Sequence, residues 1–161
     1  PASGKFNPLQ KMLYEIVLKT QSAVQRKARA GVAINELNDC CWESLSRSLD
    51  SVFKKAGGKC KLKYKGRPHG VSHLMGEQEH DGDPFRNYAS EPMKEGWLIS
   101  NEPGLYGSFS IRLNGKFYDE EIGIRIEDNL LITKTGCRNL SRSIPKTVAQ
   151  IEKLMSNVRG G

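Results

Sequence analysis

Residues 7–56 read as two amphipathic helices and residues 97–133 as a series of strands. This division limits the chain to a small set of architectures. Asn7 supplies a capping side chain and Pro8 the preset φ of a first helical turn. From there Leu9, Met12, Leu13, Ile16, Val17 and Val24 recur at helical spacing until the pattern fades near Ala30 and Gly31. A second helix is expected from about Asn35 to Ala56, with Leu37, Cys41, Leu45, Leu49, Val52 and Phe53 on its apolar face and Gly57-Gly58 as its stop. The short glycine-bearing link predicts an antiparallel pair laid on another layer. After Lys59 the apolar runs become strand-length, at 97–101, 108–113, 122–127 and 130–133. Asn114-Gly115 is a tight-turn signal between two of them, and Asp128-Asn129 is a weaker one. A last helix is expected to start near Ser143-Ile144-Pro145 and to carry Val148, Ile151, Leu154 and Met155 on one face. No internal repeat interrupts this order. The pattern is that of an α+β domain, helices packed on a mostly antiparallel sheet, with 1–161 as one unit.

Apolar residues make up 37% and charged residues 27%, the balance of a water-facing globular domain. No apolar run approaches the roughly 20 residues of a membrane span, so no membrane partner is expected. No signal peptide is visible, and Pro1 is an unusual natural start, which points to a fragment or a processed chain. Cys40, Cys41, Cys60 and Cys137 show no paired spacing and read as reduced core thiols of a cytoplasmic protein. The net charge is +7, much of it in Lys54, Lys55, Lys59, Lys61, Lys63, Lys65 and Arg67. That run reads as a solvated loop. With Tyr64 as its one aromatic it lacks a stacking platform for single strands, so no nucleic-acid partner is expected.

All three histidines, His69, His73 and His80, fall within residues 68–81. Imidazole is the usual metal ligand and proton shuttle near neutral pH, so their concentration marks a candidate site. His69 and His73 are four apart, but the helical zinc-protease motif needs glutamate where Gly70 stands. Gly70 and Gly76 also oppose a regular helix, and the window reads as a strand or loop that places His73 and His80 separately. Two carboxylates suit the same site: Glu102 in Asn101-Glu102-Pro103-Gly104 and Glu127 in Arg125-Ile126-Glu127-Asp128. Strand alternation puts Ile122, Ile124 and Ile126 on one face and Gly123, Arg125 and Glu127 on the other. The isoleucines would pack on the helices while Arg125 and Glu127 point into a cleft. Glu102 shares a face with Ser100 and Leu98, and Pro103 keeps it extended and ends the ladder. A buried carboxylate needs a cation or several donors. One imidazole plus carboxylates suits zinc, manganese or cobalt better than calcium or magnesium.

Taken together and in this order, these segments resemble the pita-bread metallopeptidases, in particular the branch of Xaa-Pro aminopeptidase (aminopeptidase P) and prolidase. The matching segments are 69–73, 76–81, 96–106 and 123–128, with Ile144-Pro145-Lys146 before the last helix. The opening, 1–18, is similar to the helix that follows the family's first metal motif. The resemblance implies a pita-bread (creatinase/aminopeptidase) fold, incomplete at the N-terminus, with 1–161 as the C-terminal portion of a single metallopeptidase catalytic domain. It implies His73, Glu102 and Glu127 as metal ligands, with Glu127 bridging two divalent ions, manganese ahead of zinc or cobalt. Glu102 would also handle the proton of the attacking water. His69 and His80 would line the substrate site, His80 near the scissile carbonyl, and Arg125 would shape the pocket for proline. The implied reaction is hydrolysis of the bond between an N-terminal residue and a following proline. A homodimer, as relatives often form, is implied as well.

One departure bears on all of this. The family's remaining ligands are two aspartates on a strand, and this sequence begins just after the point where they should stand. Asp39 and Asp50 lie in the second helix, and Asp81 and Asp83 adjoin the histidine window without reproducing the motif. The chain alone is therefore expected to bind a metal pair poorly and to be inactive. The alternative is a non-catalytic pita-bread domain serving as a peptide- or protein-binding module. In such a module His73, Glu102 and Glu127 would have drifted, and all three are present. Methionine aminopeptidases share the fold, but the Val71-Ser72 spacer and the ending at 125–128 look closer to the proline-specific branch.

Overall fold

The computed structural model describes residues 1–63 and 67–159. Helix α1 (Pro8–Lys27) opens with a reciprocal capping box. The Asn7 side chain accepts the Gln10 N–H at 2.9 Å, and the Gln10 side chain accepts the Asn7 N–H at 3.2 Å. Helix α2 (Ile34–Ala56) stops at Gly57, whose φ of 62° lies in the left-handed region that glycine enters without cost. The helices pack antiparallel. Leu9, Leu13, Ile16 and Val17 share a core with Leu45, Leu49 and Phe53, while Val24 and Ala28 share another with Ile34, Leu37 and Cys41.

The strands are β1 (Lys59–Leu62), β2 (Leu98–Asn101), β3 (Gly104–Leu113), β4 (Lys116–Arg125), β5 (Asp128–Ile132) and β6 (Cys137–Asn139). They form two antiparallel sheets, ordered β1-β3-β4 and β2-β5-β6, and helix α3 (Val148–Arg159) follows. Each sheet covers one half of the helix pair. Leu105, Phe109, Ile111 and Ile126 join the first core, and Ile99, Leu130 and Ile132 join the second. A fully buried side chain of this size contributes about 1.5–3 kcal/mol, so these two contacts hold the layers together.

The sheets meet in a way that matters for the site. Gly104 faces Arg125 in β3–β4, and Asn101 faces Asp128 in β2–β5. Those two ladders keep one register. They are a single two-stranded ribbon, interrupted only at 102–103 on one side and 126–127 on the other. Pro103 has no N–H to give the ladder, although its carbonyl still accepts the Ile126 N–H at 3.4 Å. The ribbon turns at Asn114 (φ 49°) and Gly115 (φ 78°), the pair of positive φ values that a two-residue hairpin requires.

Several expectations need correction. Residues 59–62 of the basic run are not a loop but the edge strand β1, paired with β3. Tyr64 and Lys65 of that run lie outside the described residues. Asp128-Asn129 does not turn the chain. It opens β5, because the Asp128 carboxylate is buried against the Lys146 ammonium and accepts from Asn139 at 2.8 Å. Of the four thiols Cys41 is in a core, Cys40 and Cys137 are half-buried and Cys60 is exposed, and all are free. Helix α3 begins at Val148, later than expected, and Leu154 on it is exposed. No helix among the described residues is long and apolar enough to cross a membrane.

Candidate metal centre

The histidine segment is irregular, but its backbone is held beside β2. The Glu102 N–H donates to Val71 O at 2.9 Å, Ser100 N–H to His73 O at 3.0 Å and Met75 N–H to Leu98 O at 2.9 Å, around a bridge between Leu74 and Ile99. His73 thus stands opposite Ser100, on the face that Ser100 and Glu102 share. From the other side, Asn38 of α2 accepts the Val71 N–H at 2.6 Å. The continuous register of the ribbon puts Glu127 across from Glu102. One donor therefore comes from a loop pinned to a strand, and two come from opposite positions where the ladder is broken.

The ligating atoms of His73, Glu102 and Glu127 all lie within 4.8 Å of one another. His73 and Glu102 are buried and Glu127 opens to solvent. His73 Nε2 is 3.1 Å from Glu102 Oε1, and Arg125 is 3.3 Å from Glu102 Oε2. Ser100 Oγ donates to Glu102 Oε1 at 3.2 Å. His73 Nδ1 faces the Leu74 carbonyl at 2.9 Å. A carbonyl only accepts, so Nδ1 carries a proton and Nε2 is the nitrogen turned to the carboxylates. Carboxylates directly opposite each other across an antiparallel pair repel. Partial burial, and after it the charge of Glu102, push the Glu127 carboxyl above the ordinary glutamate range, against the pull of His73 and Arg125. Two facing carboxylates and an imidazole nitrogen of fixed tautomer form a donor set that fits a divalent cation.

The remaining candidates surround this cluster. His80, carried on the loop beyond the Leu74 bridge, returns beside His73 with ring centroids 4.3 Å apart and edge-on, and is exposed at the rim. Arg125 is 46% exposed and committed twice, to Glu102 and through Nε to the Tyr106 hydroxyl at 2.8 Å. His69 stands outside the donor cluster, edge-on to Tyr106 and Trp42 at 6.0 and 6.2 Å. Its Nδ1 faces Gly70 O at 2.8 Å, while its buried Nε2 has no hydrogen-bond partner among the described residues. A Cβ on Gly104 would stand 2.7 Å from that Nε2 and 2.6 Å from the Tyr106 hydroxyl, so the close approach depends on glycine. Glu127 lies just past β4, not within a strand. Sequence reasoning missed Ser100, Tyr106 and Asn38 as parts of the site. Ser100 was findable by the period of two that links it to Glu102. Tyr106 and Asn38 act through cross-strand and helix-to-loop contacts that only the fold defines.

A helix pair on antiparallel sheets thus brings an imidazole and two glutamates together where the sheets meet, and comparison with known proteins gives the family. Residues 2–134 match the model of metallopeptidase family M24, and the chain belongs to that family. It is 34% identical over 98% of its length to the mitochondrial intermediate cleaving peptidase 55 of Arabidopsis thaliana. It is 32% identical over 99% of its length to the Xaa-Pro aminopeptidase of Escherichia coli. It covers 31% and 37% of those proteins, so it spans about a third of their length. Among solved structures, Pseudomonas aeruginosa aminopeptidase PepP superposes with a TM-score of 0.77 at 27% identity, covering 100% of this chain and 38% of that one. Escherichia coli aminopeptidase P with the inhibitor Pro-Leu superposes at 0.71 and 30% identity, covering 98% and 37%. The fold is the pita-bread fold of these enzymes, seen in part.

Proposed function

We propose that residues 1–161 are the C-terminal portion of a metallopeptidase catalytic domain that cleaves the bond between an N-terminal residue and a following proline. In this reading His73, Glu102 and Glu127 hold its divalent ions. The observation that carries the reading is the convergence of those three donors within 4.8 Å of one another, from segments far apart in sequence. Likeness to the Xaa-Pro aminopeptidase of Escherichia coli supports the substrate class. Two divalent ions, manganese first and zinc or cobalt next, would suit this set of one imidazole and two carboxylates.

Bound divalent ions would supply the Lewis acidity that makes water a nucleophile near neutral pH and polarises a carbonyl. The protein's own groups do the rest. Glu102, fixed by Ser100 and Arg125, takes the proton of the attacking water and passes it toward the leaving amine. His80 at the rim donates to the carbonyl oxygen as charge develops. Arg125, spread over the Tyr106 ring with its Cζ 5.9 Å from the centroid, forms one wall of the slot for proline. His69 backs that wall against Tyr106. The proline ring has no N–H to satisfy, so an apolar slot costs nothing in unpaired donors.

Three donors leave a dinuclear site short, and two aspartates supplied from outside residues 1–161 would complete it. The chain alone is then inactive. The same reading includes a homodimer and a cytoplasmic setting, the latter supported by four free thiols. The test is a titration with Mn²⁺ and Co²⁺, followed by an assay on an Xaa-Pro peptide. The chain should bind one ion weakly, His73→Ala and Glu127→Gln should abolish binding, and peptide turnover should be negligible. A longer natural chain carrying the aspartate strand should cleave the peptide. Ion binding indifferent to both substitutions would refute the site. Full activity of the 161 residues alone would refute the incomplete-domain reading. Metal-independent binding of the peptide would favour the non-catalytic module.

A further inference from the structure

The Ser72–His73 peptide unit is gripped at both ends. Its carbonyl, on Ser72, accepts from Arg86 at 2.6 Å. Its N–H, on His73, donates to Ser100 Oγ at 3.0 Å. Ser100 Oγ then donates to Glu102 Oε1 at 3.2 Å. The four groups form one directed chain: guanidinium, peptide, hydroxyl, carboxylate. A positive charge stands at one end and a negative charge at the other, and every dipole between them points the same way. Hydrogen bonds arranged like this polarise and strengthen one another.

Arg86 is built into this position at some cost. It adopts φ 55° and ψ 34°, a left-handed conformation that a long side chain rarely takes. Asp83 organises the turn beneath it, accepting the backbone N–H groups of Phe85, Asn87 and Tyr88. The guanidinium crosses the buried Tyr88 ring with its Cζ 5.9 Å from the centroid. Its two terminal nitrogens also close against Gly70, where a Cβ would stand 3.3 Å from both. Ser72 is fully buried, so its carbonyl cannot turn to water instead. Among the described residues no carboxylate pairs with Arg86, and the chain's charge is free to act along the peptide.

We propose that Arg86 is a positioning residue for the metal centre, orienting His73 and Glu102 together through the peptide unit and the hydroxyl they share. The inference rests on the metal-site reading only in its second readout. Arg86 touches neither donor. It fixes the plane of the peptide from which the His73 ring departs and selects the Ser100 hydroxyl rotamer that aims at Glu102.

The experiment uses the 161-residue chain and its Arg86→Ala, Arg86→Lys and His73→Ala variants. In the metal-free proteins, hydrogen exchange of the His73 amide should quicken by about tenfold in R86A, with Val71, held by Asn38, unchanged. Lysine keeps the charge and one donor, and should recover part of the protection. Co²⁺ affinity, followed by its visible absorption, should fall by about 10–100-fold in R86A and less in R86K, as for other groups that orient metal ligands. His73 exchange and Co²⁺ affinity in R86A equal to those of the parent would overturn the proposal. Co²⁺ bound equally by parent and H73A would remove the metal reading, and the exchange data would still decide the role of Arg86. Should R86A not fold, R86K carries the same two readouts.

Discussion

Ser100→Ala tests how much of the site depends on one hydroxyl. Ser100 is fully buried, accepts the His73 N–H at 3.0 Å and donates to Glu102 at 3.2 Å. Alanine leaves the N–H without an acceptor, which costs about 1–3 kcal/mol, and removes a bond to a charged group worth about 1.5–3 kcal/mol. The two losses share an atom and do not simply add. The expected destabilisation is about 3 kcal/mol. Urea unfolding of the metal-free chain measures it, and with a slope of about 1–3 kcal/mol per molar the midpoint should fall by roughly 1–3 M. Ser100→Thr, which keeps the hydroxyl, should lose much less. Repeating S100A in a Glu102→Gln background separates the two bonds, and the cost should shrink by about 1 kcal/mol there. A loss below about 1 kcal/mol for S100A, or an equal loss in both backgrounds, would show that the hydroxyl does not join histidine to carboxylate.

Glu127→Gln bears on the repulsion between facing carboxylates. The Glu127 carboxyl is raised in the folded chain, so its contribution favours folding fully below its ordinary value of 4.5 and is lost as the pH rises through the folded value. The metal-free parent should therefore lose stability relative to E127Q over that window, read from paired unfolding midpoints, and equal pH profiles would contradict the assignment. Cys60 is exposed, whereas burial, and next the neighbouring Cys40, push the Cys41 thiol up to about 12. Alkylation at mildly alkaline pH should label Cys60 well before Cys41, which should react only on unfolding, as mass spectrometry of the digested protein would show. Gly115→Ala forces a side chain into φ 78° and should cost about 1–2 kcal/mol. Metal affinity should not change, and a parallel loss of both would tie the turn to the site.

The parts of the fold written in local chemistry were legible in the sequence. Asn7-Pro8, Gly57 and Asn114-Gly115 mark boundaries because each answers a backbone requirement within a few residues. The face shared by Ser100 and Glu102 follows from alternation along one strand. Strand β1 was not legible, since Lys59, Cys60, Lys61 and Leu62 are all exposed and show no apolar alternation. Its pairing with β3 is a purely backbone affair. Asp128 misled because its burial depends on Lys146, eighteen residues on. Half of the site behaved the same way. The residue types of His73, Glu102 and Glu127 were suggestive, but the placement of Glu127 opposite Glu102 is a property of register across two sheets. Likewise the inward turn of His69 depends on Trp42, Gly104 and Tyr106 meeting around it.

The long hairpin also has a practical meaning. From Gly104 and Arg125 it runs through ten paired positions before it reverses, a reach of about 30 Å. Its tip is thereby insulated from the carboxylates. A fluorophore, affinity tag or small folded cargo spliced between Asn114 and Gly115 would ride on a stiff mast, reporting on the molecule without disturbing the end that carries His73, Glu102 and Glu127.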